Sequence, residues 1–262
     1  MAGGAGMNAP HVESLSYRVV TPPGVSFGNP PAIEGDQPAF QFRLENGFLT
    51  ANLKYHFSTE SEARRCVEEF LRAWELDAAL KADGSEFRFE FQQAHVIDLK
   101  PVSTNKGKVV GAVAIFAVGC EAKVEVVRAA YPPTPSGLKP SLDTEAMWHR
   151  YSQYLEGRES IASMGYFCLS LLQRQAGGKS ALAKQYNVGM DVLKTLGKLT
   201  SEVGDLKSAR KLDQDSEVRA HTLEEVEWIK AAVKALIRRK AEYDFDPHSK
   251  LPEITKNGLS SS

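Results

Sequence analysis

Apolar residues alternate with polar ones along the first half of the chain and recur at three- and four-residue steps along the second. Phe40, Phe42 and Leu44 alternate, and after Glu45-Asn46-Gly47 the alternation resumes at Phe48. An Asn-Gly pair between two such runs predicts a β-hairpin, because both turn positions tolerate positive φ. Ser16–Val20 is a shorter strand candidate, and the Pro- and Gly-rich residues 21–38 read as a surface excursion. The period then changes. Cys66, Val67, Phe70, Leu71, Trp74 and Ala78 share one helical face, with Thr59 or Ser61 as cap. Leu76 and Leu80 fall off that face, so the helix ends or changes neighbours there. Residues 86–99 and 108–131 are two further strand segments, joined by a turn at 103–108. This order predicts an antiparallel or mixed sheet with one long helix packed on it.

Residues 131–143 hold four Pro and one Gly and read as a linker. Beyond them the spacing is helical. Asp143 or Thr144 can cap the first helix. Residues 161–175 are apolar nearly all round, as expected of a helix central to a bundle, with Phe167 and Leu171 buried. Gly177-Gly178 ends it, and residues 179–204 form one helix or two. The last helix starts at Thr222, with Glu225 three residues on as a capping box. The expected fold class is α+β: an N-terminal sheet with one long helix, then a helical bundle. The expected divisions are a disordered leader (1–14), an α+β domain (15–130), a linker (131–143), a bundle (144–242) and a flexible tail (243–262).

Composition narrows the function classes. The chain has 262 residues, 32 Lys plus Arg and 33 Asp plus Glu, for a net charge of −1. That balance argues against wholesale coating of nucleic acid or of an anionic membrane. The longest apolar run, Val109–Cys120, has 12 residues, short of the roughly 20 that span a bilayer. The N-terminus lacks the basic and apolar regions of a signal peptide. Cys66, Cys120 and Cys168 have no paired spacing and read as free thiols of a reducing cytoplasm. No phosphate-binding loop, metal-ligand cluster or catalytic constellation stands out, so neither a cofactor nor a metal is expected.

Three arrangements remain. Ala183, Tyr186, Asn187, Val188, Leu193 and Leu196 have the spacing of a helix-turn-helix, in which a small residue lets two helices cross and a turn residue bends the chain. Against DNA binding, Asp191 would repel phosphate, and from Tyr131 onward 19 Lys plus Arg face 17 Asp plus Glu. The expectation is therefore a broken bundle helix, and duplex DNA is not expected as a partner. Arg150, Tyr154 and Arg158 lie four apart on one helical stripe beside Glu159, with Arg210 and Lys211 further on. Such residues can hold a phosphate and stack a base, or can tie helices together. On the last helix, Val226, Ile229, Val233, Leu236 and Ile237 share the apolar face. Lys230, Lys234 and Arg238 line its edge, and Arg239 and Lys240 extend the charge. Trp228 lies off the stripe, either tucked in or presented as an interface residue.

In helix order, residues 143–240 resemble the helical part of bacterial proteins that combine a mixed N-terminal domain with a HEPN-like bundle. That resemblance implies a small, often dimeric helical domain of a kind frequent in RNases of toxin and antiviral systems. Active members carry Arg, four to six residues, then His in a late helix. Neither His221 nor His149 has Arg at those positions, and Arg88 with His95 fits the spacing only on an expected strand. The resemblance thus implies a non-nucleolytic bundle that binds or dimerises, with a second copy of the chain, RNA or a nucleotide as candidate partner and no catalytic residue. The enzymatic alternative is an RNase built on Arg158, Glu159 and Arg210. The regulatory alternative is a DNA-binding protein using residues 180–198.

Overall fold

Asn46 and Gly47, at φ 52° and 79°, close the predicted hairpin between β4 (Phe40–Glu45) and β5 (Phe48–Leu53). The computed structural model describes residues 9–82, 84, 87–99, 126–204 and 217–259. Around the hairpin lie β1 (Pro10–Val20), β2 (Val25–Phe27), β3 (Ile33–Asp36), β6 (Arg88–Asp98) and β7 (Val126–Arg128). Five strands form one antiparallel sheet in the order β3-β4-β5-β1-β6, and β2 pairs with β7 in parallel. The α+β expectation holds in its antiparallel form. β1 begins inside the stretch set aside as a leader, because it pairs with β6 from Pro10 opposite Asp98. The turn expected at 103–108 and most of the strand expected at 108–131 lie outside the described residues.

The chain divides into two units. One runs to Leu71 and resumes after the first helix as far as Pro133; the other takes Arg72–Gly84 and the chain from Thr134. In the first unit the strand alternation buries Leu15, Tyr17, Phe40, Phe42, Leu44 and Leu49. Helix α1 (Glu60–Ala82) covers that face. Its Phe70 ring meets Phe40 at 5.8 Å and Phe42 at 5.1 Å. The Glu62 N–H donates to Thr59 Oγ1 at 3.3 Å, so Thr59 serves the helix start.

The second unit contains α2 (Leu142–Leu155), α3 (Ile161–Ala176), α4 (Lys179–Tyr186), α5 (Met190–Ser201), the two-residue strands β8 (Val203–Gly204) and β9 (Glu217–Val218), α6 (Leu223–Phe245) and α7 (Lys256–Leu259). Ser141, rather than the expected Asp143 or Thr144, caps α2 through its hydroxyl. The Thr222–Glu225 capping box forms as read. Helix α3 packs against α2, α4, α5 and α6, and Met164, Cys168, Leu169 and Leu172 supply its buried contacts. Phe167 and Leu171, expected buried, are only partly so; the inward face follows Ile161, Met164, Cys168 and Leu172 instead. Leu76 and Leu80 do change neighbours: α1 continues past them, and both join the core of the second unit.

Two ionic ties fasten that core. The Asp77 carboxylate, 2% exposed, accepts from Lys81 Nζ and Arg238 Nη1, each at 2.7 Å. The Lys240 ammonium is buried and donates to Asp244 and to Ser141, the α2 cap. Beyond α6 the chain folds back. Leu259 is buried, and Val188 and Ile254 form a parallel bridge.

Candidate nucleic-acid interface

Helix α3 stops where Gly177 takes φ 83°, and α4 starts directly after Gly178. Helix α4 ends at Asn187, which is left-handed at φ 48°, ψ 58°, a conformation Asn tolerates better than most residues. The N–H groups of Asn187 and Val188 return to Ala183 O, closing the C-terminus of α4. Three residues, Asn187-Val188-Gly189, then separate α4 from α5. Tyr186, Val188, Val192, Leu193 and Leu196 are buried, which fixes the two helices against each other. Lys184, Asp191, Lys194 and Lys198 are exposed. The Asp191 carboxylate accepts from the Val192 N–H at 2.9 Å, serving the positive start of α5. Gly189 is closely packed here. A Cβ would lie 2.5 Å from Asp191 Oδ1 and 3.2 Å from Ile254 O.

Behind the turn sits a cation that sequence reading placed on the surface. The Arg239 side chain is about as buried as Lys240, and its guanidinium donates to the carbonyls of Tyr186, Asn187 (3.1 Å) and Pro252 (2.7 Å), with Glu242 completing its shell (3.2 Å). One side chain thus satisfies the last carbonyl of α4, the turn and the returning chain, where positive charge also complements the helix dipole. A signal was present. Leu236 is core, and Arg239 and Lys240 are its i+3 and i+4 neighbours, so helical spacing alone puts both on the buried face.

The stripe expected around Arg158 does not converge. Arg150 on α2 lies 2.6 Å through Nη2 from Glu159 Oε1, whose side chain is 9% exposed, and the guanidinium sits 4.8 Å from the Phe167 ring. Neither Glu159 oxygen nor Arg150 Nε has an aligned hydrogen bond, so the contact is a charge–charge contact. Arg158 is 68% exposed and pairs with Glu156 at 3.0 Å, while Tyr154 packs partly buried beside Tyr151. Arg150 and Glu159 therefore meet; Arg158 faces away, and Arg210 and Lys211 lie outside the described residues. Trp228 is 8% exposed, within the core, and its indole N–H has no partner among the described residues. Burial pushes the Cys168 thiol up to about 12, with Glu159 adding and Arg150 opposing. Burial also raises Cys66. Neither is an activated nucleophile. Cys120 lies outside the described residues.

Among the described residues, no group of three His, Cys, Asp or Glu side chains is placed to hold a metal, and no helix is long and apolar enough to cross a membrane. A groove of about 1040 Å³ runs between α5, α6 and residues 252–259, past Thr195, Leu199, Trp228, Lys234 and Ile254. No family model, curated protein or solved structure matches the chain.

Proposed function

We propose that the second unit is a non-catalytic module of a cytoplasmic protein that binds duplex DNA through α4, its turn and α5. The observation that carries this reading is the eight-residue α4, three-residue turn and twelve-residue α5, with α3 packed against both helices. In a helix-turn-helix the second helix enters the major groove, and here it presents Lys194 and Lys198 outward. Charge supports the placement. Residues 179–204 hold four Lys and two Asp plus Glu, a local surplus of two in a chain of net charge −1. A second copy of the chain fits this reading, because paired modules on half-sites multiply an affinity that one module supplies weakly.

The test is fluorescence anisotropy of the full chain with a 5′-labelled duplex of about 30 base pairs across a salt series, an order-of-magnitude length spanning about three helical turns. Binding should weaken linearly on logarithmic axes as salt rises, and Lys194→Ala with Lys198→Ala should reduce the slope by about 2, roughly one for each phosphate contact removed. Binding that ignores salt, or a double variant with the wild-type slope, would remove the reading.

A further inference from the structure

The returning chain beyond α6 makes its backbone bonds with the turn itself. Gly189 N–H, at the start of α5, donates to Ile254 O at 2.8 Å, and Ile254 N–H donates to Asn187 O at 3.0 Å. The Asn187 side-chain amide donates to Leu251 O at 2.9 Å, and Arg239 Nη2 holds Pro252 O. A Cβ built on Gly189 would lie 3.5 Å from Glu253 Oε1, so a carboxylate stands beside the start of α5. These are the amide group and the helix end that a helix-turn-helix offers to a phosphate. A backbone carbonyl takes that amide, and Glu253 stands beside the helix end, which the chain's own Asp191 already caps.

The same segment lies at the surface. Its far end is pinned by Leu259, Ile254 packs on the core between that pin and the turn, and Pro252, Glu253 and residues 255–258 are exposed along one side of the 1040 Å³ groove. A surface segment with mostly exposed residues opens at lower cost than a core element.

We propose that residues 251–259 are an intramolecular strap that closes the α4–α5 turn, and that duplex DNA binds only when the strap is released. This rests on the DNA-binding reading of α4 and α5. The strap competes with phosphate for Gly189 N–H and sets Glu253 against the DNA backbone, so the apparent affinity of the full chain is its open-state affinity multiplied by the open fraction. A strap shut about nine-tenths of the time lowers affinity about tenfold.

Two variants of the full chain test it, with anisotropy on the same duplex and hydrogen exchange at the Gly189 amide. Asn187→Gly with Ile254→Ala loosens the strap. Glycine keeps the left-handed turn but loses the bond to Leu251, and alanine thins the apolar anchor. Val188→Cys with Ile254→Cys locks it, since bridge partners lie within disulfide reach. The loosened chain should exchange Gly189 faster and bind about tenfold more tightly than wild type. The locked chain should bind more weakly oxidised than reduced. If the loosened chain loses its cooperative melt, the locked chain alone decides. Equal affinity in folded loosened and wild-type chains, or in oxidised and reduced locked chains, overturns the strap while leaving DNA binding in place. Failure of every form to bind at 50 mM salt, about the low-salt end where phosphate contacts are strongest, overturns the DNA-binding reading and the strap's role with it.

Discussion

Gly165 lies where α3 crosses α5 and α6, and a Cβ there would fall 2.7 Å from Thr200 Cγ2, 3.3 Å from Ile229 Cγ2 and 3.7 Å from Leu196 Cδ1. Thr200 is fully buried, and its hydroxyl donates to Leu196 O at 2.7 Å, so its methyl cannot swing away without breaking that bond. Gly165→Ala therefore sets two terms against each other. A 2.7 Å approach to a pinned methyl puts overpacking at the upper end of its usual range, about 2–3 kcal/mol, and replacing a helical glycine returns about 1 kcal/mol. The net expectation is a loss of about 1–2 kcal/mol, or roughly 2–8 °C in Tm for a chain of this size. A double-mutant cycle isolates the cause. Thr200→Ser keeps the hydroxyl bond and removes only the obstructing methyl, at about 1 kcal/mol for the lost burial. The double variant should then be more stable than the sum of the single losses by about 1 kcal/mol. Urea denaturation followed by far-UV circular dichroism measures all four corners. Gly165→Ala as stable as wild type, or strict additivity in the cycle, would refute the argument that this crossing is set by the missing side chain.

Asp77→Ala leaves Arg238 and Lys81 facing an empty site; since both cations reach solvent, the loss should be about 2–3 kcal/mol, below the 3–5 of a wholly buried pair, and a change under about 0.5 kcal/mol in urea unfolding would show the tie to be idle. Glu225 is held down to about 2 from 4.5, first by the Arg219 guanidinium that donates to it twice at 2.7 Å and then by the Thr222 N–H. Its folded value is depressed, so the stability it contributes is full above pH 4.5 and lost as pH falls toward 2. Discounted for solvent screening it amounts to about 1 kcal/mol, and Glu225→Gln should flatten the acid limb of a Tm–pH profile by that amount.

Local chemistry was legible in the residues. The Asn46-Gly47 hairpin and the Thr222–Glu225 box each form within a few residues, where spacing and side-chain type settle the outcome. The turn at 187–189 was visible for the same reason. The buried cations were legible only as positions on the buried face of α6; their partners were not, because the carbonyls that bind Arg239 lie 53, 52 and 13 residues away and carbonyls have no side-chain signature. The strap escaped for a related reason. It docks largely through the N–H and C=O of Ile254, so its polar composition reads as a solvated tail. On α3, apolar residues all round concealed which face was most inward, and Phe167 and Leu171, expected buried, lie at its edge, partly buried against the core. The Arg150–Glu159 pair was half legible: the residues were named together, but the elbow between α2 and α3 is what turns Glu159 back toward Arg150.

The division of α1 between the two units has a consequence for how the protein is made. Leu76, Asp77 and Leu80 belong to the second unit, yet 161 residues separate Asp77 from Arg238. At about 5–20 residues per second, a ribosome needs roughly 8–32 s to synthesise that stretch. During translation the first sheet strands and the front of α1 can pair while the back of the same helix still displays leucines with no neighbours. A nascent chain stalled before residue 220 should therefore recruit hydrophobic-binding chaperones at residues 76–80, and one released past residue 245 should shed them.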